Sequence, residues 1–354
     1  MPEQARVAFV GAGGHANNCL YPSLEKARTV KLVSVCDLQA DRAEGTAKRY
    51  GADRWYTDVD TMLDKEQLDG VCICGLPPMH VEVGKQVVRR GLPIFVEKPS
   101  ALDSAEARGL AEAAAEAGVW GMVAFMKRHA PAYVLARQLM DAPVFGGVQQ
   151  LHVRFTQGPY PDWGGFKAPR AFLVGQVVHM FDLTRFLGGD VAQVHARLHV
   201  VSNNLFAYGI SVTFTSGAIG TLELNTLDHT EAYRDTTERI DATGVGESVS
   251  VTGMQTVEYY AAQDWRSAET SHPNLGTATH VWSPNWLSTM HGKVVTGYVG
   301  ELEHFAKSLL SGTPASASLS DGVESLRLSE AVWESVQTGK TIELARKQIG
   351  TGQA

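Results

Sequence analysis

The chain has 354 residues, 44% of them hydrophobic and 19% charged, with a formal net charge of −7. That length suits two domains, each able to bury its own core, and the acidic balance works against binding a phosphate backbone, which excludes nucleic acid as a partner. No stretch approaches the ~18 consecutive apolar residues of a membrane span, so a membrane partner is excluded as well.

The opening residues, Met1 to Arg6, carry neither an apolar segment nor a small-residue cleavage site, and no signal peptide is expected. The four cysteines, Cys19, Cys36, Cys72 and Cys74, have no CxxC spacing, and three of them fall in apolar, strand-like runs. They read as small buried hydrophobes, with no metal site expected, and they fit a reducing cytoplasm.

Val7-Ala8-Phe9-Val10 is a short apolar run followed by Gly11-Ala12-Gly13-Gly14-His15-Ala16 and a helix-compatible segment over 17–27. Strand, glycine turn and helix give a GxGxxA pattern. Gly11 permits the tight turn, Gly13 lets backbone approach a pyrophosphate with Gly14 and His15 beside it, and Ala16 is small enough for close packing. The helix start adds free N–H groups and the positive end of a dipole. A second strand over 31–37 ends on Asp37, about 20 residues beyond Ala16, where a carboxylate accepts hydrogen bonds from the adenosine ribose. An anion there repels a 2′-phosphate, so NAD is expected over NADP, while Arg42 leaves room for both.

The alternation continues with a helix over 41–50, strands at 54–56 and 70–74, and a helix to about residue 90 whose first turn is preset by Pro77 and Pro78. Leu76 and Pro77 stand at this turn, and His80 reads equally as a capping residue or as a wall of a cofactor cleft. The apolar run 94–96 then ends abruptly in Glu97-Lys98-Pro99. Taken alone, Glu97 and Lys98 would be a surface ion pair worth about 0–1 kcal/mol. At the C-terminal end of roughly the fifth parallel strand, however, Lys98 stands where open α/β sheets bind ligands. A helix over 103–117, opened by Asp103 and Glu106 as a capping box, and a strand over 119–125 complete an N-terminal Rossmann domain over 1–124.

The GxGxxA turn, Asp37, the Pro77-Pro78-Met79-His80 turn and Glu97-Lys98-Pro99 together resemble the glucose-fructose oxidoreductase, inositol dehydrogenase and rhizopine catabolism family of oxidoreductases, over nearly the whole chain. The resemblance implies an NAD(P)-dependent enzyme that moves hydride between a secondary alcohol of a sugar, sugar derivative or cyclic polyol and the nicotinamide. It implies that Lys98, preceded by Glu97, lies beside the nicotinamide and binds the reacting oxygen, often with a cis bond before Pro99. It further implies that His179 is the proton acceptor, that Arg128 matches a cleft arginine with Lys127 beside it, and that a homodimer or homotetramer forms through the sheet of the second domain.

That domain, 125–354, is expected to be α+β with a mostly antiparallel open sheet, from consecutive strands near 148–157, 192–201, 205–214 and 218–227. Residues 158–170 are rich in glycine, proline and aromatics, and read either as a surface loop or as a substrate loop in which Tyr160 and Trp163 face a sugar. Residues 172–183 read as one helix carrying Gly175, Gln176, His179 and Asp182, with Asp182 mainly structural or orienting His179. The resembling family usually places an aspartate four residues before the histidine; here that position is Gly175, expected to make space for a bulkier substrate. Gln176 beside it can hydrogen-bond substrate but cannot act as a base. The stretch 261–290, with Trp265, His272, His280, Trp282 and Trp286, is expected to fold over the cleft or the sheet. Helices follow over 298–310 and 321–338, and then a polar tail after Leu344. Two alternatives stay open: a glycoside-oxidising enzyme, giving a 3-keto glycoside or using NAD transiently for elimination, and a non-catalytic NAD-binding sensor.

Overall fold

The computed structural model describes residues 4–228, 237–261, 278–283 and 291–344. Trp265, His272 and Trp286 and the tail after Leu344 lie outside the described residues. Among the described residues no helix is long and apolar enough to cross a membrane.

The first half builds a parallel sheet from β1 (Ala5–Val10), β2 (Val30–Cys36), β3 (Arg54–Tyr56), β4 (Gly70–Ile73), β5 (Ile94–Val96) and β6 (Gly121–Val123). Their order is β3-β2-β1-β4-β5-β6, so the direction of winding reverses between β1 and β4, and a crevice opens past their carboxyl ends. The central strands are buried on both faces, which is why they read as continuous apolar runs rather than alternating ones. Val96 pairs with Ile73 on one side and Val123 on the other. Lys98, two residues on, therefore leaves the middle of the sheet at its carboxyl edge.

The second sheet contains β7 (Gln150–Thr156), β8 (Val191–Ser202), β9 (Leu205–Phe214), β10 (Ile219–Asn225), β11 (Thr237–Thr243), β12 (Ser248–Thr252), β13 (Thr256–Ala261), β14 (Ala278–Trp282) and β15 (Ile342–Glu343). They run in the order β14-β13-β12-β11-β7-β10-β9-β8-β15. Every pair is antiparallel except β7 with β10. Along β9 and β10 buried and exposed residues alternate, so one face packs on helices and the other is open. His280 and Trp282 belong to the edge strand β14.

Three local features differ from the sequence reading. The segment expected as a helix over 17–27 contains a π-turn, Ala16–Leu20, followed by only Tyr21–Ser23. Pro22 has no N–H to give the carbonyl four residues back, and the Tyr21 N–H donates to the Ala16 carbonyl in the wider turn. The helix expected over 172–183 is two helices, Ala168–Gly175 and Val178–Gly188, broken at Gln176 and Val177. The break places Gly175 at a helix end rather than one smooth turn ahead of His179. Finally, Leu302, Phe305, Leu319, Val323 and Leu326 of the C-terminal helices pack into the core of the first sheet, so the chain returns to the N-terminal unit after building the second one.

Candidate active site

A cleft of about 1260 Å³ lies past the carboxyl edge of the first sheet. It exceeds the ~300–1,000 Å³ typical for one small ligand, which gives room for a dinucleotide and a substrate together. Its walls include Gly13, Gly14, His15, Leu76 and Glu97 together with Lys98, Lys127, Tyr160, Trp163, Gln176 and His179. Gly11, Asp37, Arg42, Pro77, His80 and Arg128 are not among its lining residues.

The glycine turn fits a dinucleotide. Gly11 has φ +108°, and a Cβ there would stand 1.9 Å from the Cys74 carbonyl oxygen, so backbone packing alone demands glycine. Gly13 and Gly14 are different: neither has a positive φ, and a Cβ on either would meet nothing within 4 Å. The space above them is open, as the approach of a pyrophosphate requires. Asp37 fixes the turn to β2, its carboxylate accepting from the Ala12 N–H at 2.8 Å and the Gln39 N–H at 2.9 Å. Arg42 is exposed on the helix Ala40–Tyr50, and Pro77 is buried at the first position of its helix.

Around Lys98 each partner is accounted for. Glu97 is buried and takes two contacts, from His15 Nε2 at 3.0 Å and from the Lys98 N–H at 2.9 Å. The carboxylate raises His15 to about 10, so the two form an ion pair at the cleft. His80 proves to be a brace rather than a wall: its Nε2 accepts from the Gly75 N–H at 3.0 Å and its Nδ1 donates to the Pro99 carbonyl at 2.9 Å. The Lys98-Pro99 peptide bond is cis. Lys98 Nζ donates to the carbonyl of Gly175 at 3.3 Å. The helix break explains that contact, because the last carbonyls of a helix lack intrahelical donors and the dipole there favours a cation. Burial lowers the Lys98 pKa, and the nearby Lys127 charge adds to this against the opposing pull of Glu97.

His179 stands in the same cleft, 7% exposed, edge-on to Phe125 with ring centroids 6.3 Å apart. Its Nδ1 is buried without a partner among the described residues. Burial first, then the charges of Lys98 and Lys127, push its pKa well below the usual 6.5, so the ring is neutral and able to accept a proton. Asp182 does not orient it. Both Asp182 oxygens accept from Arg128, at 2.8 Å from Nε and 2.5 Å from Nη2, and Arg128 also reaches Asp321 at 3.3 Å. Arg128, expected at the cleft, is thus committed to a buried bidentate pair that ties Met126–His129 to the helices Val178–Gly188 and Leu319–Thr338. Lys127 does line the cleft, but its ammonium is held by Glu238, which also accepts from the Tyr133 hydroxyl. Glu238 has only a faint signal in the sequence, a carboxylate inside a β-strand whose neighbour Ile240 is apolar.

Comparison with known proteins matches residues 5–125 to the oxidoreductase family with an NAD-binding Rossmann fold, Gfo/Idh/MocA, and residues 137–344 to that family's C-terminal alpha/beta domain. The chain belongs to this family. Among relatives, it is 27% identical to the scyllo-inositol 2-dehydrogenase (NAD(+)) of Bacillus subtilis, covering 99% of this chain and 100% of that protein. It is 26% identical to the D-apiose dehydrogenase of Paraburkholderia graminis, covering 95% and 89%. A solved structure of levoglucosan dehydrogenase in complex with NADH and L-sorbose shares the fold, with a TM-score of 0.80 at 19% identity and coverage of 97% and 100%. As a Gfo/Idh/MocA protein, the chain is an NAD-dependent oxidoreductase.

Gly175, set against the aspartate usual in the Gfo/Idh/MocA family, does not make space for a bulkier substrate. The volume beside it is filled: a Cβ on Gly175 would meet the Tyr160 hydroxyl at 2.5 Å and the Trp163 ring at 3.0 Å. Tyr160 and Trp163 are half-buried and anchored in the two cores, so residues 158–170 are not a free surface loop.

Proposed function

We infer that the protein oxidises a secondary hydroxyl of a sugar, sugar derivative or cyclic polyol, or runs the reverse reduction, with NAD as its coenzyme. The observation that carries this reading is the meeting, in one cleft, of a neutral buried imidazole on His179 and an ammonium on Lys98 held at a helix end. NAD, when bound, supplies the hydride acceptor. Lys98 would hydrogen-bond the reacting oxygen and stabilise its developing alkoxide character. His179 would take the hydroxyl proton, leaving a carbonyl on the carbon that loses hydride.

The directions of the two pKa shifts refine this division. A depressed pKa keeps His179 unprotonated but makes it a weak base, whereas lowering Lys98 brings an amine toward the range where it exchanges protons. The two residues share the proton work. The relatives named for scyllo-inositol and D-apiose support a polyhydroxylated substrate.

The test is a spectrophotometric screen of scyllo-inositol, D-apiose, levoglucosan and other polyols and glycosides with NAD and NADP. Stoichiometric NADH with at least one of them is expected. Tight NADH binding with no turnover across the panel would favour a sensor, and turnover without net NADH would favour transient oxidation. We also infer a homodimer or homotetramer through the open face of the second sheet, where Val201 and Ile219 are each more than half exposed. Light scattering of the purified protein checks it, a monomer at micromolar concentration being the contrary result.

A further inference from the structure

The substrate end of the cleft holds a hydroxyl where a side chain of residue 175 would otherwise be. A Cβ on Gly175 would stand 2.5 Å from the Tyr160 oxygen and 3.0 and 3.1 Å from Cε3 and Cζ3 of Trp163. Gly175 has no positive φ, so its backbone does not require glycine; these two aromatics are what exclude a side chain. Both are fixed. The Tyr160 ring lies edge-on to Phe172 with centroids 5.3 Å apart, and its backbone N–H donates to the Asn204 carbonyl at 3.2 Å. Trp163 packs on the core of the first sheet, and it exchanges backbone hydrogen bonds with Phe166 at 3.1 and 3.0 Å. The segment is clamped to one core through Tyr160 and to the other through Trp163. Its hydroxyl arrives at the same residue whose carbonyl holds Lys98.

We propose that Tyr160 determines specificity: its hydroxyl bonds a hydroxyl of a neutral cyclic sugar or cyclic polyol, on a carbon near the one oxidised, while Trp163 carries the C–H face of the ring. The proposal rests on the dehydrogenase reading above and deepens it. A phenol is uncharged and carries a donor as well as acceptor lone pairs, so it can bond a substrate hydroxyl. No charge has to be desolvated at that subsite, unlike a carboxylate placed at residue 175. An indole offers a broad apolar face to the axial C–H groups of a ring.

The experiment compares wild type, Tyr160→Phe, Gly175→Ala and the double variant. Each is assayed with NAD on scyllo-inositol, levoglucosan and D-apiose, and on the monodeoxy analogues of the best of these. NADH fluorescence titration reports whether each variant folds and binds dinucleotide. Tyr160→Phe is expected to bind NADH as wild type does while kcat/KM falls about 3- to 10-fold, the worth of one neutral hydrogen bond, mostly through KM. One monodeoxy analogue should be turned over equally by wild type and Tyr160→Phe, a pattern a merely structural tyrosine would not produce. Gly175→Ala should lose more activity, and adding Tyr160→Phe should restore part of it by removing the closest atom. Unchanged kcat/KM in Tyr160→Phe on every substrate, or the same loss on every analogue, would overturn the proposal. No wild-type turnover on any compound of the full polyol and glycoside panel would sink the dehydrogenase reading, and this proposal with it.

Discussion

The ammonium of Lys98 donates to the carbonyl oxygen of Gly175 at 3.3 Å, joining the residue that follows β5 to the C-terminal end of the helix Ala168–Gly175. The contact spans the two sheets, since one partner leaves the parallel sheet and the other precedes the helix that carries His179. It also orients the lysine without neutralising it, because a carbonyl is uncharged and the contact uses one of the three ammonium protons, leaving two for other acceptors.

If His179 is the proton acceptor, the pH profile has a defined sign. Its pKa is lowered, so the accepting form persists as pH falls through 6.5, and the acid limb of kcat/KM due to this group lies below that value. His179→Ala should remove that limb and cost roughly 10²- to 10⁴-fold in turnover, the usual worth of general base catalysis. A variant with wild-type turnover and the same limb would show that another group accepts the proton.

The Arg128–Asp182 pair acts on stability instead. Burial raises Asp182 to about 6 despite the guanidinium beside it, whereas Arg128 is raised by its carboxylates. Both shifts describe one pair in which desolvation offsets much of the attraction. Removing one partner leaves the other charge buried, so Asp182→Ala should destabilise the protein by about 3–5 kcal/mol in urea unfolding. A loss below about 1 kcal/mol, within the range of an exposed pair, would contradict the burial argument.

We propose that coenzyme choice falls to Asp37. Its carboxylate already holds the Ala12 and Gln39 N–H groups, at the end of the second strand where a ribose-binding carboxylate is expected. Asp37→Ser should weaken NADH binding roughly 10-fold or more, from the ~1.5–3 kcal/mol of hydrogen bonds to a charged group. It should also narrow the preference for NADH over NADPH, measured by fluorescence titration of both. An unchanged ratio would shift the discrimination to another residue.

Much of this site was legible in the sequence, and the physics explains which parts. Gly11, Gly13 and Lys98 were readable because turn geometry and the end of an apolar strand are local properties. His179 was found through the family resemblance, not through its own surroundings. The break after Gly175 leaves no mark in the sequence, since an apolar run such as 172–183 is compatible with one helix or two. Arg128 was expected at the cleft and His80 as either a capping residue or a cleft wall, but their partners, Asp182 and the Gly75 and Pro99 backbone, are set by tertiary contact. The Tyr160 hydroxyl against Gly175 and the Glu238 carboxylate on Lys127 likewise join residues distant along the chain. No periodicity reports such pairs.

The most direct test of Lys98 as the residue that stabilises the reacting oxygen is Lys98→Ala assayed for both NADH binding and turnover on the best polyol of the screen. Binding should stay close to wild type, because the glycine turn and the His15–Glu97 pair remain, while turnover falls roughly 10²- to 10³-fold, the cost of removing one donor to a developing oxyanion. Turnover within a factor of three of wild type, with NADH still bound, would contradict the role assigned to Lys98.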